Sequence, residues 1–199
     1  MVKELARIPA SIKSWRGPVT ELLNDHRIFN SNSNVALSWK PIIKTLFDID
    51  KTAFPELLGK VATAPSANIF TNREYEMLQR SLNIRRLSYV LFTGDKNHFL
   101  TQLPTIQEKL VDILKNVSAP IVQSEVYLCI RVLLCRLSPH NLTSFWPVIL
   151  TELVSLSVHY LRTHLDAPDT SIACSSKSWH RCRRTDRRIC SLSLLPANV

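Results

Sequence analysis

The chain has 199 residues, of which 45% are hydrophobic and 21% are charged, a balance typical of a globular chain rather than a disordered one. Glycine occurs only three times, at Gly17, Gly59 and Gly94. Phosphate-binding loops, nucleophile elbows and tight β-hairpins need glycine where φ is positive or where backbone approaches a ligand closely. The composition therefore argues against these sites and favours helices joined by Pro, Asn and Ser turns.

The formal charge of +9 is unevenly distributed, since residues 167–199 carry six basic residues and only two acidic ones. A nucleic-acid-binding domain that is basic throughout would show a different distribution. The chain begins with charged residues where a signal peptide would have its apolar segment. With an odd number of cysteines, five, this predicts a reduced, cytosolic chain. No apolar run approaches about 18 residues, so no membrane-spanning helix is predicted.

The first part of the chain predicts three helices. Pro18 is expected in the first turn of a short helix, because proline is favoured at that position. A second helix is predicted with Ser38 as its N-cap and Pro41 near its start. A third is predicted after Thr52, which would cap it, with its end between Gly59 and Thr63.

Two segments fit the capping box, in which a Ser or Thr and a Glu three residues later bind each other's backbone N–H groups. They are Thr71–Glu74 and Thr105–Glu108. The first is predicted to open a helix that ends near Gly94. The second is predicted to open the next helix.

From Thr71 onward, apolar residues recur at helical spacing in four successive segments, and each set predicts the inward face of a helix. The sets are Leu78, Leu82, Leu87 and Leu91; Ile106, Leu110, Ile113 and Val117; Val122, Val126, Ile130, Leu133 and Leu137; and Trp146, Ile149, Leu153, Leu156 and Tyr160. The last helix, from about Thr143 to Leu165, also carries Phe145, Val148, Val154 and Leu161 on other faces. It therefore resembles the interrupted end of a helical array.

Short connections make consecutive helices antiparallel neighbours. The predicted fold is all-α, built from antiparallel helical hairpins as either an α-solenoid of the HEAT or armadillo type or a bundle. Residues 1–166 are predicted to form this helical domain. Residues 167–199 lose the helical period and are rich in Ser, Arg and Cys, so they are predicted to form a disordered basic tail.

No catalytic, cofactor-binding or metal-binding residues are predicted, and no cofactor is expected. Cys129 and Cys135 lie on different faces of one helix and are interpreted as small buried hydrophobic residues. The remaining cysteines, Cys174, Cys182 and Cys190, could join His180 around zinc, but their spacing matches no zinc motif.

Two charged segments are interpreted as solvated surface. Asp48 and Asp50 are expected in a solvated turn between helices. Arg85 and Arg86 are expected on a solvated helix face, and the alternative is that they bind an acidic partner or a phospholipid head group. The run from Arg181 to Arg188 leaves open a different function, because blocks of like charge commonly bind nucleic acid, nuclear-import receptors or anionic lipid.

Several long, collinear stretches resemble the C-terminal region of the Dopey family. They are residues 7–24 (RIPASIKSWRGPVTELLN), 39–48 (WKPIIKTLFD), 81–99 (SLNIRRLSYVLFTGDKNHF), 102–109 (QLPTIQEK) and 136–142 (RLSPHNL). The likeness ends near Leu153, where an alternative splice or a misassigned exon boundary would explain the change of character.

The resemblance implies part of a much larger peripheral protein on the cytosolic face of Golgi and endosomal membranes. That family is associated with protein and vesicle transport between these compartments. It works with a large Sec7-related scaffold protein and a P4-type phospholipid flippase. The resemblance supplies no catalytic residues and implies a non-enzymatic scaffold, with nucleic acid an unlikely partner.

Overall fold

The computed structural model describes residue 4 and residues 8–62 and 72–165. This part of the chain contains seven α-helices joined by short turns, and none of its residues lies in a strand. The helices are α1 (Ile12–Asn24), α2 (Ser33–Ile49), α3 (Ala53–Ala62), α4 (Arg73–Thr93), α5 (Leu103–Asn116), α6 (Pro120–Arg136) and α7 (Trp146–Leu165). The predicted tail over residues 167–199 lies outside the described residues, as does Thr71.

Helices α2 and α4 lie side by side and point in the same direction. The Tyr89 hydroxyl on α4 donates to the Ala36 carbonyl on α2, 2.6 Å away. Further along both helices, Lys44 forms an ion pair with Asp95, just after the end of α4. Because the contacts advance together in sequence, the two helices are parallel.

Helix α6 lies against another side of α4 and is also parallel to it. Arg85 on α4 pairs with Glu125 on α6. Beyond the ends of the two helices, the Asn97 side chain accepts from the Ser138 backbone N–H at 2.8 Å. Helices α2, α4 and α6 therefore form one parallel layer, with α4 in the middle.

The second layer consists of α3, α5 and α7. Helix α5 contacts α3 and α7, while α3 packs onto α4 and α5 packs onto α6. Each hairpin thus contributes one helix to each layer, which is the arrangement of an α-solenoid. The all-α prediction is confirmed, and of the two predicted architectures the layers match the solenoid.

The two layers meet in one continuous core. The stripes predicted on α5 and α6 are confirmed, because every residue in each is buried. Fully burying one such side chain stabilises the fold by roughly 1.5–3 kcal/mol. The largest side chains that are completely enclosed include Ile43, Leu46, Ile84, Leu87, Leu91, Ile106, Leu110, Ile113 and Leu133.

The predicted starts of the first two helices are wrong, since both helices continue through a proline. Helix α1 begins at Ile12, so Pro18 lies inside it, and α2 contains Pro41. The N-cap of α2 is Asn32, whose side chain accepts from the Asn34 backbone N–H, and not Ser38. Both prolines are exposed, so water is available to the carbonyl group that each leaves without a donor.

Neither capping box forms as predicted. Helix α4 begins at Arg73, and Asn72 caps it by accepting from the Glu74 backbone N–H at 3.0 Å. Helix α5 begins at Leu103, two residues before Thr105, so Thr105 lies within the first turn. Pro104 determines this earlier start, because its fixed φ and missing N–H suit the first turn of a helix.

The stripe predicted on α4 is only partly correct. Leu87 and Leu91 are buried, whereas Leu78 is exposed. The buried face instead includes Ser81 and Ser88. Small side chains on this face permit the close approach of α6. Because serine is not apolar, the spacing of apolar residues alone misplaces the buried face of α4.

Candidate interaction surfaces

The described residues show no grouping that would hold a metal. In 8–62 and 72–165, no three His, Cys, Asp or Glu side chains come together in this way. The His98 Nε2 lies 3.0 Å from the Asp48 Oδ1, a single pair at the surface. A search of the same residues finds no helix with the length and apolar content of a membrane span. The three cysteines of the tail and His180 lie outside the described residues.

The two cysteines of α6 have different environments. Cys129 is fully buried beside Ser88, as predicted, and burial raises the pKa of its thiol to about 12. Cys135 is exposed, so its interpretation as a buried residue is wrong. The six-residue separation places the two side chains on different faces, and only one face meets α4.

Arg86 does not lie on a solvated face. The residue is buried, with a relative exposure of 5%. Nε donates to the Leu23 carbonyl at 3.1 Å, one terminal nitrogen donates to the Asn24 carbonyl, and the other donates to the Asn83 side chain at 2.6 Å. These carbonyls end α1 and have no donor within that helix. Arg86 is therefore a structural residue that caps α1 from α4.

The neighbouring Arg85 also has a partner within the fold. Its Nε lies 3.1 Å from both carboxylate oxygens of Glu125, and one terminal nitrogen binds Oε1 as well. Glu125 is only 5% exposed, so its charge depends on this partner. The expectation of a solvated Arg85–Arg86 face is therefore wrong for both residues.

Asp50 likewise belongs to the interior and not to a solvated turn. The Thr52 hydroxyl and backbone N–H donate to its Oδ1 at 2.7 and 3.0 Å, and Arg16 Nε lies 2.7 Å from Oδ2. Thr52 precedes α3 as predicted, but its hydroxyl is directed to Asp50. The Asp50 carboxylate thus links α1 to the turn between α2 and α3.

A cavity of about 310 Å³ opens between the start of α4 and the α5–α6 connection. Arg80 and Glu76 face each other there at 3.9 Å. Together with Arg73, they give the cavity both signs of charge. The lining residues are Arg73, Glu76, Met77, Arg80, Asn116, Val117, Ser118 and Ala119.

Helix α7 carries a series of exposed apolar side chains. Phe145, just before the helix, and Ile149 are buried, but Leu153 is 43% exposed. The prediction that Leu153 faces inward is therefore wrong, and so is the placement of Phe145 off the inward face. Leu161, predicted to face outward, is 54% exposed, which confirms its placement. The large apolar residues exposed along α7, here called the α7 apolar face, are Trp146, Leu150, Leu153, Val154, Val158 and Leu161.

The position of α7 in its layer explains this exposure. Its contacts in the second layer are with α5, and the buried residues Phe145 and Ile149 are at its start. Past Ile149, most apolar side chains lack a described neighbour. An apolar helix in this position is typical of a repeat that packs against a further element.

These features define a helical-repeat protein whose candidate sites are surfaces for other molecules. Residues 1–173 match the family described as DOP1 C-terminal, and the chain belongs to that family. The family match continues past Leu153, so the expectation that the likeness ends there is wrong.

Relatives from several animals show the same similarity. The chain is 39% identical over 147 residues to a DOP1 homolog of Drosophila pseudoobscura pseudoobscura, covering 72% of this chain and 6% of the relative. It is 34% identical over 170 residues to protein pad-1 of Caenorhabditis elegans, covering 83% and 7%. It is 32% identical over 142 residues to protein DOP1B of Mus musculus, covering 71% and 6%.

The chain therefore spans about 6–7% of the length of these curated relatives. Their names describe no enzymatic reaction. No solved structure matches the chain.

Proposed function

We propose that this chain is a non-catalytic scaffold segment of a peripheral protein that acts in protein and vesicle transport between the Golgi and endosomes. Membership of the DOP1 family supports this role. The α7 apolar face is the structural observation that carries it, because a contiguous apolar surface marks a site of contact with another polypeptide.

The two-layer fold suits a scaffold because its core holds the helices at fixed positions while their outer surfaces stay available. Stability in such arrays comes from contacts between neighbouring repeats. A partner that covers the α7 apolar face would extend the same packing. The partners we propose are a large Sec7-related scaffold protein and a P4-type phospholipid flippase, met on the cytosolic face of Golgi and endosomal membranes.

The experiment compares the tagged full chain with its Val154→Asp/Leu161→Asp variant in cells. Imaging would measure overlap with Golgi and endosomal markers, and chemical crosslinking followed by mass spectrometry would measure recovery of the two proposed partners. We expect both signals for the native chain and reduced recovery for the variant. The matched control, Lys60→Ala, changes an exposed residue elsewhere and should recover the partners normally.

A diffuse distribution with neither partner recovered would contradict the proposal. Deleting residues 167–199 tests the alternative function of the Arg-rich tail. Recovery of nucleic acid or nuclear-import receptors that is lost on deletion would favour that alternative. A run of like charges can bind such partners without a folded surface.

A further inference from the structure

One stripe of side chains on α4 lies between α2 and α6, and the space above this stripe is here called the groove. Arg85, Tyr89 and Phe92 recur at i, i+4 and i+7, so they form one stripe on α4. All three side chains are half-buried. Tyr89 binds the Ala36 carbonyl on one side, and Arg85 binds Glu125 on the other. The stripe therefore lies between the two flanking helices. The Phe29 ring packs on Tyr89 and Arg85 and covers that part of the groove, and Phe92 lies beyond it.

Two cations converge on one ring at the end of this groove. Lys40 Nζ on α2 lies 4.8 Å from the centroid of the Phe92 ring. The guanidinium carbon of Arg136 on α6 lies 5.8 Å from the same centroid. Both distances are within the range of cation–π attraction. The ring thus holds a lysine and an arginine from opposite walls close together.

These two cations differ from their neighbours in lacking a carboxylate. Arg85 is paired with Glu125, and Lys44 is paired with Asp95. Over the described residues, neither Lys40 nor Arg136 has an Asp or Glu oxygen within 4.0 Å. Arg136 donates to the Gly94 carbonyl, and its buried Nε has no hydrogen-bond partner there.

The electrostatics of Lys40 agree with this geometry. Burial lowers the pKa of Lys40, and the positive charge of Arg136 lowers it further, while Asp95 acts in the opposite direction. Lys44 adds a further positive charge, so the cations around Lys40 outnumber the single carboxylate of Asp95 and the site keeps a net positive charge in a partly desolvated place. A bound anion would relieve the repulsion between the two cations.

From this arrangement we infer that Lys40, Phe92 and Arg136 bind a carboxylate side chain of an acidic peptide segment from a partner protein. The carboxylate would lie between the two cations, and apolar atoms of the peptide would contact the Phe92 ring. The inference extends the proposed scaffold role by adding a second surface, separate from α7.

The recess favours a peptide over a bilayer surface. Lys40, Phe92 and Arg136 are all half-buried between helices and are not on a protruding edge. A narrow chain can enter such a groove and contact the Phe92 ring, whereas lipid head groups attract basic residues that project toward the membrane. Partial burial also strengthens a carboxylate–lysine contact relative to a fully exposed pair.

The test uses the full chain and a fluorescein-labelled Glu-Glu-Phe-Glu-Glu probe peptide, with binding followed by fluorescence anisotropy at physiological salt. We expect Lys40→Ala to weaken binding by about tenfold, the effect of removing one hydrogen bond to a charged group. Lys115→Ala, which removes an exposed lysine from α5, is the matched control and should bind like the native chain. The Arg-rich tail is identical in both variants, so the difference between them isolates the groove.

Circular dichroism of each variant would verify equal helix content before binding is compared. A twin probe with lysine in place of glutamate should not bind. Equal affinity in Lys40→Ala and Lys115→Ala would overturn the inference. The inference would also be overturned if Lys40→Ala weakened only the binding of inorganic phosphate or of vesicles with 30% phosphatidylserine and left peptide binding unchanged. Failure here would leave the cellular distribution and the α7 contacts unaffected, so it is distinguishable from failure of the scaffold proposal.

Discussion

Arg86 Nε donates to the Leu23 carbonyl oxygen at 3.1 Å, so a side chain on α4 completes the last turn of α1. A second nitrogen of the same guanidinium binds the Asn24 carbonyl. Helix C-termini normally leave such carbonyls to water or to a local cap. Here a buried arginine performs that role from a distant segment, and the first helix is thereby tied to the centre of the array.

Arg86→Met should lower the free energy of unfolding by about 3 kcal/mol, since it leaves two buried or half-buried carbonyls without their charged donor. Urea denaturation followed by circular dichroism would measure the change. Arg131→Met, at an exposed position on α6, is the matched control and should stay within about 0.5 kcal/mol of the native chain. Equal stability of the two variants would show that Arg86 does not cap α1.

The contrast between Arg86 and the helical stripes shows what the sequence can predict. The stripes of α5 and α6 follow from spacing, because a helix with apolar residues on one side has a single way to bury them. Two of the partners of Arg86 lie 62 and 63 residues earlier in the chain, and both are backbone carbonyl oxygens. No local pattern marks such a contact, so an adjacent pair of arginines is naturally interpreted as surface.

The predicted helix starts are wrong for a related reason. Pro18 and Pro41 are local signals for the first turn, but a proline on the exposed side of a helix is tolerated deeper within it. The exposure of Leu153 depends on which neighbours α7 meets. Local preference therefore determined that helices form, while tertiary contacts determined their starts and faces.

The Arg85–Glu125 pair should be strongly coupled. Arg85→Met would strand a buried carboxylate and lower the free energy of unfolding by about 3–5 kcal/mol. Replacing both residues, Arg85→Met with Glu125→Leu, should be less damaging than Arg85→Met alone, because no unpaired charge remains. A double-mutant cycle from urea denaturation measures the coupling energy. Simple additivity of the two single changes would contradict a buried ion pair.

Asp50 should make stability sensitive to acid. Burial raises the pKa of its carboxyl, but the Thr52 hydrogen bonds and the charge of Arg16 outweigh burial, so the pKa lies below its usual value. The carboxylate therefore contributes stability above the unfolded-state pKa, and that stability is lost as the pH falls through the folded-state pKa. We expect the difference in unfolding free energy between the native chain and Asp50→Asn to shrink between pH 5 and pH 3.

Urea denaturation at several pH values would measure this difference. Thr52→Val removes the hydroxyl donor and keeps Asp50, so it should show a smaller loss at neutral pH than Asp50→Asn. A native-minus-variant difference that stays constant down to pH 3 would argue against the depressed pKa.

The two cysteines of α6 should react at different rates. The thiol of Cys129 is buried and its pKa is about 12, whereas Cys135 is exposed. Because the thiolate is the reactive form, iodoacetamide at pH 8 should modify Cys129 at least about a hundredfold more slowly than Cys135. Peptide mapping by mass spectrometry would measure both rates. In urea the difference should vanish, and equal labelling of the native chain would contradict the placement of Cys129.

Helix α7 allows a sharp comparison between buried and exposed positions. Ile149 is 6% exposed, while Leu153 and Leu161 are much more exposed. Ile149→Asp should lower the melting temperature sharply or prevent folding, because it places a charge in the core. Leu153→Asp and Leu161→Asp should change the free energy of unfolding by no more than about 0.5 kcal/mol. Thermal melting followed by circular dichroism would measure all three.

The same variants test what the α7 apolar face does in solution. Each apolar side chain that gains a covering partner contributes up to roughly 1.5–3 kcal/mol, so several exposed together should drive the isolated chain to self-associate. Leu153→Asp and Leu161→Asp should both reduce the scattering intensity in dynamic light scattering, since a charge in the face would have to be buried on association. If Leu161→Asp unfolded the chain as severely as Ile149→Asp, the far side of α7 would have to be buried as well. A carboxylate placed in the α7 apolar face would have to be buried without a partner on association, which is too costly for contacts through that face to survive. If Leu153→Asp and Leu161→Asp both left the scattering intensity unchanged, association would therefore proceed through another surface.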